Sequence, residues 1–271
     1  MTTAIQVCHG ALDDAARGDA VFSGALVIFT KVKGLDAFCD RVDELVRAGF
    51  GVEEPERAQF AMSRVDYLEA VRTVQKMVRA DEVAHHRLLD ALRSTGMGEN
   101  EAYWDWVHLR VLPSGEEFAT SGTGWHRDTW ASSIAAQTNW WTPIYPVTAE
   151  RTITFAPAYW STPVANSSPS WAPSSEQVIP RPVDALAPYE QRVVIEPGDL
   201  LCFSGAQLHS TVPNETGRAR FSVEVRTVSR TDVQQQRGAP AVDETAPVPR
   251  YGWFHHVADG SSLPRPSCCE A

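Results

Sequence analysis

PGDLLCFSGAQLHSTVPNETGRARFSVEVR, residues 197–226, is the stretch on which the fold is decided. Phe221, Val223 and Val225 alternate with Ser222, Glu224 and Arg226, the two-residue period of a strand with two unlike faces. Pro197-Gly198-Asp199 turns the chain into one strand, and Pro213-Asn214 turns it between two others. Outward from here lie similar runs: WDWVHLRVL (104–112), TNWWTPIYPV (138–147), RTITFAP (151–157) and QRVVIEPGDLLCF (191–203). All are short, rich in β-branched and aromatic residues, and punctuated by Gly or Pro. No helical pattern separates them, so antiparallel pairing in a closed sandwich or jelly roll is expected over βαβ units.

The residues before Trp104 follow a different period, and the segment 1–103 reads as a helical region packing on the barrel. Leu35, Phe38, Val42, Leu45 and Val46 form one apolar stripe, ending near Gly49. Ser63 with Asp66 resembles a capping box ahead of a second stripe, Val65, Leu68, Val71 and Val78. Asp81 caps a third helix bearing Val83, Leu88, Leu89 and Leu92, with Gly96 as its stop. Adjacent His85 and His86 point to different sides of that helix and read as solvated. Residues 104–230 then form the core. Within it, 161–188 holds six Pro and six Ser, too irregular for regular structure and long enough to act as a lid. Residues 231–271 are a Pro-rich extension whose Tyr251, Trp253 and Phe254 are expected to pack back, with part of it joining that lid; His255 and His256 read as solvated tail residues.

Composition narrows the function. The 271 residues are 43% hydrophobic and 21% charged, an ordinary globular balance, with a formal charge of −10. So acidic a chain repels phosphate backbones, which argues against nucleic acid and anionic membrane partners and for a small-molecule substrate. No apolar run approaches the ~18 residues of a membrane span. The acidic N-terminus lacks the basic start of a signal peptide, so a cytoplasmic protein is expected. Five scattered cysteines without a CxxC provide neither a disulfide framework nor a Cys-rich zinc module.

The chemistry concentrates in GTGWHRDTW, residues 122–130. On a strand, His126 and Asp128 share a face and can grip one metal from adjacent corners. A third ligand must come from another strand, and His209 is the candidate. Two imidazoles and one carboxylate on one face of an octahedron leave three positions open, the arrangement that non-haem Fe(II) oxygenases use. Arg220 follows His209 by eleven residues, a hairpin that returns it to the same cavity, where a guanidinium captures a carboxylate bidentately. Arg218 competes for that role, and Thr211 shares the face of His209 and can add a hydrogen bond. On the run 138–142 either Asn139 and Trp141 or Thr138, Trp140 and Thr142 face the cavity. His108 reads as a strand histidine rather than a ligand.

These motifs together resemble the Fe(II)/2-oxoglutarate-dependent oxygenases, and most closely their phytanoyl-CoA hydroxylase-like group. The resemblance runs from Trp104 to Val228 through WHRD, the TFAPAYW segment and the PGDL…H…PN…R…S…R block, with Ala158-Tyr159 standing where the family has Gly-Ser. It implies a double-stranded β-helix core, Fe(II) held by His126, Asp128 and His209, 2-oxoglutarate anchored by Arg220, and O₂ as cosubstrate. It also implies hydroxylation, desaturation or cyclisation of a small molecule, such as a secondary metabolite or amino-acid derivative, because halogenating relatives carry a small residue where this chain has Asp128. A zinc hydrolase using the same triad, or a cupin-like binding protein without turnover, is the alternative.

Overall fold

The computed structural model describes residues 3–98, 102–115, 124–173 and 179–266; Gly122, Thr123, Cys268 and Cys269 lie outside them. In chain order the elements are β1 (Ile5–Cys8), α1 (Asp14–Phe22), β2 (Leu26–Phe29), α2 (Leu35–Phe50), α3 (Arg64–Ala80), α4 (Glu82–Ser94), β3 (Ala102–Trp104), β4 (His108–Leu112), α5 (Thr129–Ser132), β5 (Gln137–Pro143), β6 (Ile153–Phe155), β7 (Gln191–Val193), β8 (Leu200–Ser204), β9 (His209–Thr211), β10 (Arg220–Ser229), α6 (Arg230–Gln234) and β11 (His255–His256).

The helices begin and end where side-chain chemistry allows. Ser63 accepts from the Asp66 amide at the start of α3, and Asp81 accepts from the Ala84 amide at the start of α4. The α2 helix closes on Gly51, whose φ of 65° suits a residue without a Cβ. Val65 and Val83, placed in apolar stripes by spacing, are exposed in the first turns of their helices, where the core is not yet beside the chain. His85 is half-buried rather than solvated, edge-on to Trp104 at 6.0 Å, and burial holds its imidazole below the usual range.

Two sheets form a double-stranded β-helix, the jelly-roll architecture. The larger runs β1-β2-β8-β5-β10-β3-β11 with β4 also on β10; the smaller runs β7-β6-β9. Leu26, Ile28, Trp141, Leu201 and Phe203 of the large sheet pack against Ile153, Phe155 and Val193 of the small one. The opposite face of the large sheet, with Val27, Phe29, Trp140, Cys202, Phe221, Val223 and Val225, lies under α2, α3 and α4. The large sheet is therefore buried on both faces, and its strands β2, β5 and β8 are buried at every residue.

The structure corrects several expectations. The N-terminal region is not purely helical: β1 and β2 pair in parallel and extend the large sheet beside β8. The run 104–112 breaks into β3 and β4, both on β10. Pro197-Gly198 splits 191–203, so β7 joins the small sheet and β8 the large one. The tail histidines His255 and His256 form β11, paired with β3.

The C-terminal extension is laced to the barrel through Asp243. Its carboxylate accepts from Trp130 Nε1 and the Val164 amide, and pairs with Arg127 at 2.6 Å; the Arg127 and Asp243 side chains are only 1% and 3% exposed. The Glu244 carbonyl accepts from Asn166 and Ser168, tying the Pro/Ser-rich segment to the same strap. Breaking a buried pair by removing one partner strands the other charge, at a cost of about 3–5 kcal/mol. We expect Asp243→Ala to destabilise the protein by roughly that amount in chemical denaturation, and the apolar double variant Arg127→Met/Asp243→Leu to recover much of the loss.

Candidate metal and cosubstrate site

The inner face of the large sheet carries polar side chains, and these build the site. Along β10, Phe221, Val223 and Val225 point under the helices, so Arg220, Ser222, Glu224 and Arg226 point into the barrel. Register places Trp141 opposite Glu224 and Asn139 opposite Arg226, so Asn139 and Trp141 share this inner side while Trp140 faces α2–α4. A cavity of about 330 Å³ opens there, lined by His126, Asp128, Trp141, His209, Thr211 and Arg220 among others.

His126 does not lie on a regular strand. It makes an isolated antiparallel bridge with His209, the two exchanging backbone hydrogen bonds of 3.0 Å each way, and Asp128 already has helical dihedrals at the start of α5. The bridge brings the imidazole centroids to 4.3 Å, and the helical bend returns Asp128 Oδ1 to 3.7 Å from His126 Nε2. One ligand atom from each of His126, Asp128 and His209 lies within 4.8 Å of the others. His126 Nδ1 is 2.9 Å from the Gly124 carbonyl, and His209 Nδ1 is 2.9 Å from the Gln207 carbonyl. A carbonyl only accepts, so each Nδ1 carries the proton and each Nε2 keeps its lone pair for a metal. Burial and the neighbouring His209 push the His126 imidazole down to about 4, the neutral form a metal requires.

Burial alone would raise the Asp128 carboxyl, but Arg226 holds it below the usual range. Its Oδ2 accepts from Asn139 Nδ2 at 2.5 Å and faces Arg226 Nε at 3.3 Å, which turns Oδ1 toward the histidines. Arg226 also meets Glu224 at 3.2 Å and Asp105 at 3.5 Å. Glu224 and Arg226 escape sequence reading because alternation separates the faces of a strand without saying which one sees solvent. The only signal for them is that Ser222, Glu224 and Arg226 continue from Arg220 on its own face.

Arg220 is 5% exposed, and its Nη2 donates to Thr211 Oγ1 at 3.3 Å. Its Nε and Nη1 are buried without a hydrogen-bond partner, and its guanidinium carbon lies 5.9 Å from the Trp141 ring. Burial and nearby Arg110 push Arg220 down to about 10. A buried cation with two idle donors in the cavity that holds the triad fits the distal carboxylate of 2-oxoglutarate. Arg218 points elsewhere, pairing with Glu56 at 3.0 Å. Of the Pro/Ser-rich segment, Ile179 lines the cavity. Tyr251, Trp253 and Phe254 do not; they pack with Tyr103, Ile134 and Val228, so the aromatic tail is not part of a cover over the site. His108 sits beside Asp105 at 3.1 Å and is not a ligand.

The solved structure of EvdO2 from Micromonospora carbonacea var. aurantiaca with 2-oxoglutarate is similar at 16% identity over 59% of this chain, with a TM-score of 0.42. This chain spans 64% of the length of EvdO2. The non-heme alpha ketoglutarate dependent epimerase SnoN from nogalamycin biosynthesis is similar at 16% identity, over 95% of this chain and 97% of SnoN, with a TM-score of 0.47. AviO1 from Streptomyces viridochromogenes Tue57 gives 11% identity over 81% of this chain and 96% of AviO1, with a TM-score of 0.43. No curated protein matches significantly. No described helix is long and apolar enough to cross a membrane. The phytanoyl-CoA dioxygenase model matches residues 16–222, most of the chain and all of the triad, and the chain belongs to that family of non-haem Fe(II)/2-oxoglutarate oxygenases.

Proposed function

We propose that this chain is an Fe(II)- and 2-oxoglutarate-dependent oxygenase that oxidises an unactivated C–H bond of a small molecule, a secondary metabolite or amino-acid derivative. The observation that carries this reading is the meeting, in one cavity, of the His126/Asp128/His209 cluster with the idle guanidinium of Arg220. Bound Fe(II), with 2-oxoglutarate and O₂, supplies the oxidising chemistry and releases succinate and CO₂. The protein supplies placement. His126, Asp128 and His209 hold the metal from one side. Asn139 and Arg226 occupy Asp128 Oδ2, so the carboxylate offers its other oxygen. Arg220 and Thr211 receive the distal carboxylate, and Trp141 with Ile153 keeps that end of the cavity apolar. A zinc hydrolase built on the same three ligands would leave Arg220 unexplained.

Three outcomes test this reading. His126→Ala, Asp128→Ala and His209→Ala are each expected to lose stoichiometric metal and succinate release while keeping the circular dichroism of the fold; full metal and turnover in any one removes that residue from the ligand set. Arg220→Ala is expected to raise the apparent 2-oxoglutarate constant roughly ten- to a hundredfold, the equivalent of about 1.5–3 kcal/mol in charged hydrogen bonds. Arg220→Lys should recover part of that and Arg218→Ala should change little; the reverse order would exchange the two arginines.

The third outcome concerns pH. In the unfolded chain His126 takes a proton near its ordinary value of 6.5, but in the folded site only near 4. Across that window the unfolded state binds more protons, so the metal-free protein loses stability as pH falls, by roughly 3 kcal/mol from this group. Calorimetric Tm measured from pH 7 to 4 in chelator should fall, and His126→Gln should flatten the slope over that window.

A further inference from the structure

The cavity continues past the metal ligands to a mouth formed by α3 and β4. Leu68, Val71, Arg72 and Gln75 recur at three- and four-residue spacing, so one face of α3 looks into it. Gln75 Nε2 donates to the Leu109 carbonyl at 3.1 Å, fixing that face against β4, and Arg110 of β4 enters the same mouth. Arg72 is exposed and has no acidic partner among the described residues. This sets it apart from Arg79, which lies 3.8 Å over the Trp106 ring, and from Arg41, Arg47 and Arg93, which pair with acids. Arg110 is 46% exposed, and Glu224 Oε1 is 3.6 Å away, beyond a hydrogen bond; that oxygen is taken by Arg226 at 3.2 Å.

The charges lining the cavity then sort themselves. Arg226 answers Asp105 and shares Glu224 with Arg110. Fe(II), when bound, is answered by Asp128 and the near carboxylate of the cosubstrate, and Arg220 by the far one. Arg72 is left without an acid, and Arg110, 46% exposed, keeps only a long contact with a Glu224 oxygen it shares with Arg226; both stand at the mouth of a cavity on a chain of net charge −10. A local positive field on an acidic protein concentrates anions at that spot.

We propose that the substrate is a small organic anion whose carboxylate or phosphate is held at the mouth by Arg72 and Arg110, with its apolar part against Leu68 and Val71. This rests on the oxygenase reading above. Guanidinium forks suit both oxyanions, and the two sources are separable by titration.

The test is calorimetric titration of the intact protein saturated with Zn(II) and 2-oxoglutarate, using phenylacetate, phenyl phosphate and neutral phenylacetamide as probes. At least one anion should bind about tenfold or more tightly than the amide, and Arg72→Gln and Arg110→Gln should each remove most of that preference. Arg72→Gln should not alter 2-oxoglutarate affinity by more than about twofold, and Arg218→Gln should match the wild type throughout. The stronger of the two anions assigns carboxylate or phosphate. Protein that binds 2-oxoglutarate but does not distinguish the anions from the amide, or variants that keep the preference, overturn this proposal alone. Wild-type protein that takes up no 2-oxoglutarate overturns the oxygenase reading on which it rests.

Discussion

The buried pair between Arg127 and Asp243 is the constraint on which the rest of the molecule depends. Arg127 stands between two of the clustered ligands, and its guanidinium also donates to the carbonyls of Ala206, Tyr159 and Thr162. One side chain therefore joins the His126–Asp128 turn, the turn that leads into β9 and His209, the Pro/Ser-rich segment, and the C-terminal strap. A guanidinium with almost no contact with water must have its donors and its charge satisfied where it lies. Moving any of the four segments would leave part of that demand unmet. The His126–His209 bridge and the start of α5 are held by the same fixture.

A second constraint governs the carboxylate. Asp128 is buried among Arg226, Asn139 and two imidazoles, with Glu224 and Asp105 compensating Arg226 from behind. The neighbouring arginines hold the Asp128 and Glu224 carboxyls below the usual range, and buried charges of both signs alternate through this group. Its position on the inner side of β10, behind Asp128, gives the site a rigid rear wall and leaves the opposite side open.

Much of this could be read from the chain. The grouping of His126, Asp128 and His209 follows from motif spacing, whereas hairpin length leaves Arg220 and Arg218 in competition and the preference for Arg220 comes from the family resemblance. The strand-rich core followed from two-residue alternation. What could not be read is which way the alternation points. In β10 the apolar residues face outward beneath helices and the polar ones face inward, the reverse of a solvated sheet, and only the packing of α2–α4 decides this. Spacing alone therefore does not single out Glu224 and Arg226. β1 and β2 escape sequence reading because four-residue strands between helical segments carry too little pattern, and the pairing of β2 with β8 joins residues far apart in sequence. HxD spacing suits a strand, but Asp128 has helical dihedrals at the start of α5.

The late position of Asp243 has a consequence for how the protein is made. A nascent chain that has emerged to residue 230 already contains every ligand of the cluster, yet lacks the carboxylate that neutralises Arg127. Until the strap arrives, an unpaired guanidinium opposes closure of the turn that carries His126 and Asp128. Completion of the site is thereby deferred until Asp243 has emerged, and a product truncated before it keeps the motif without the fixture that shapes it.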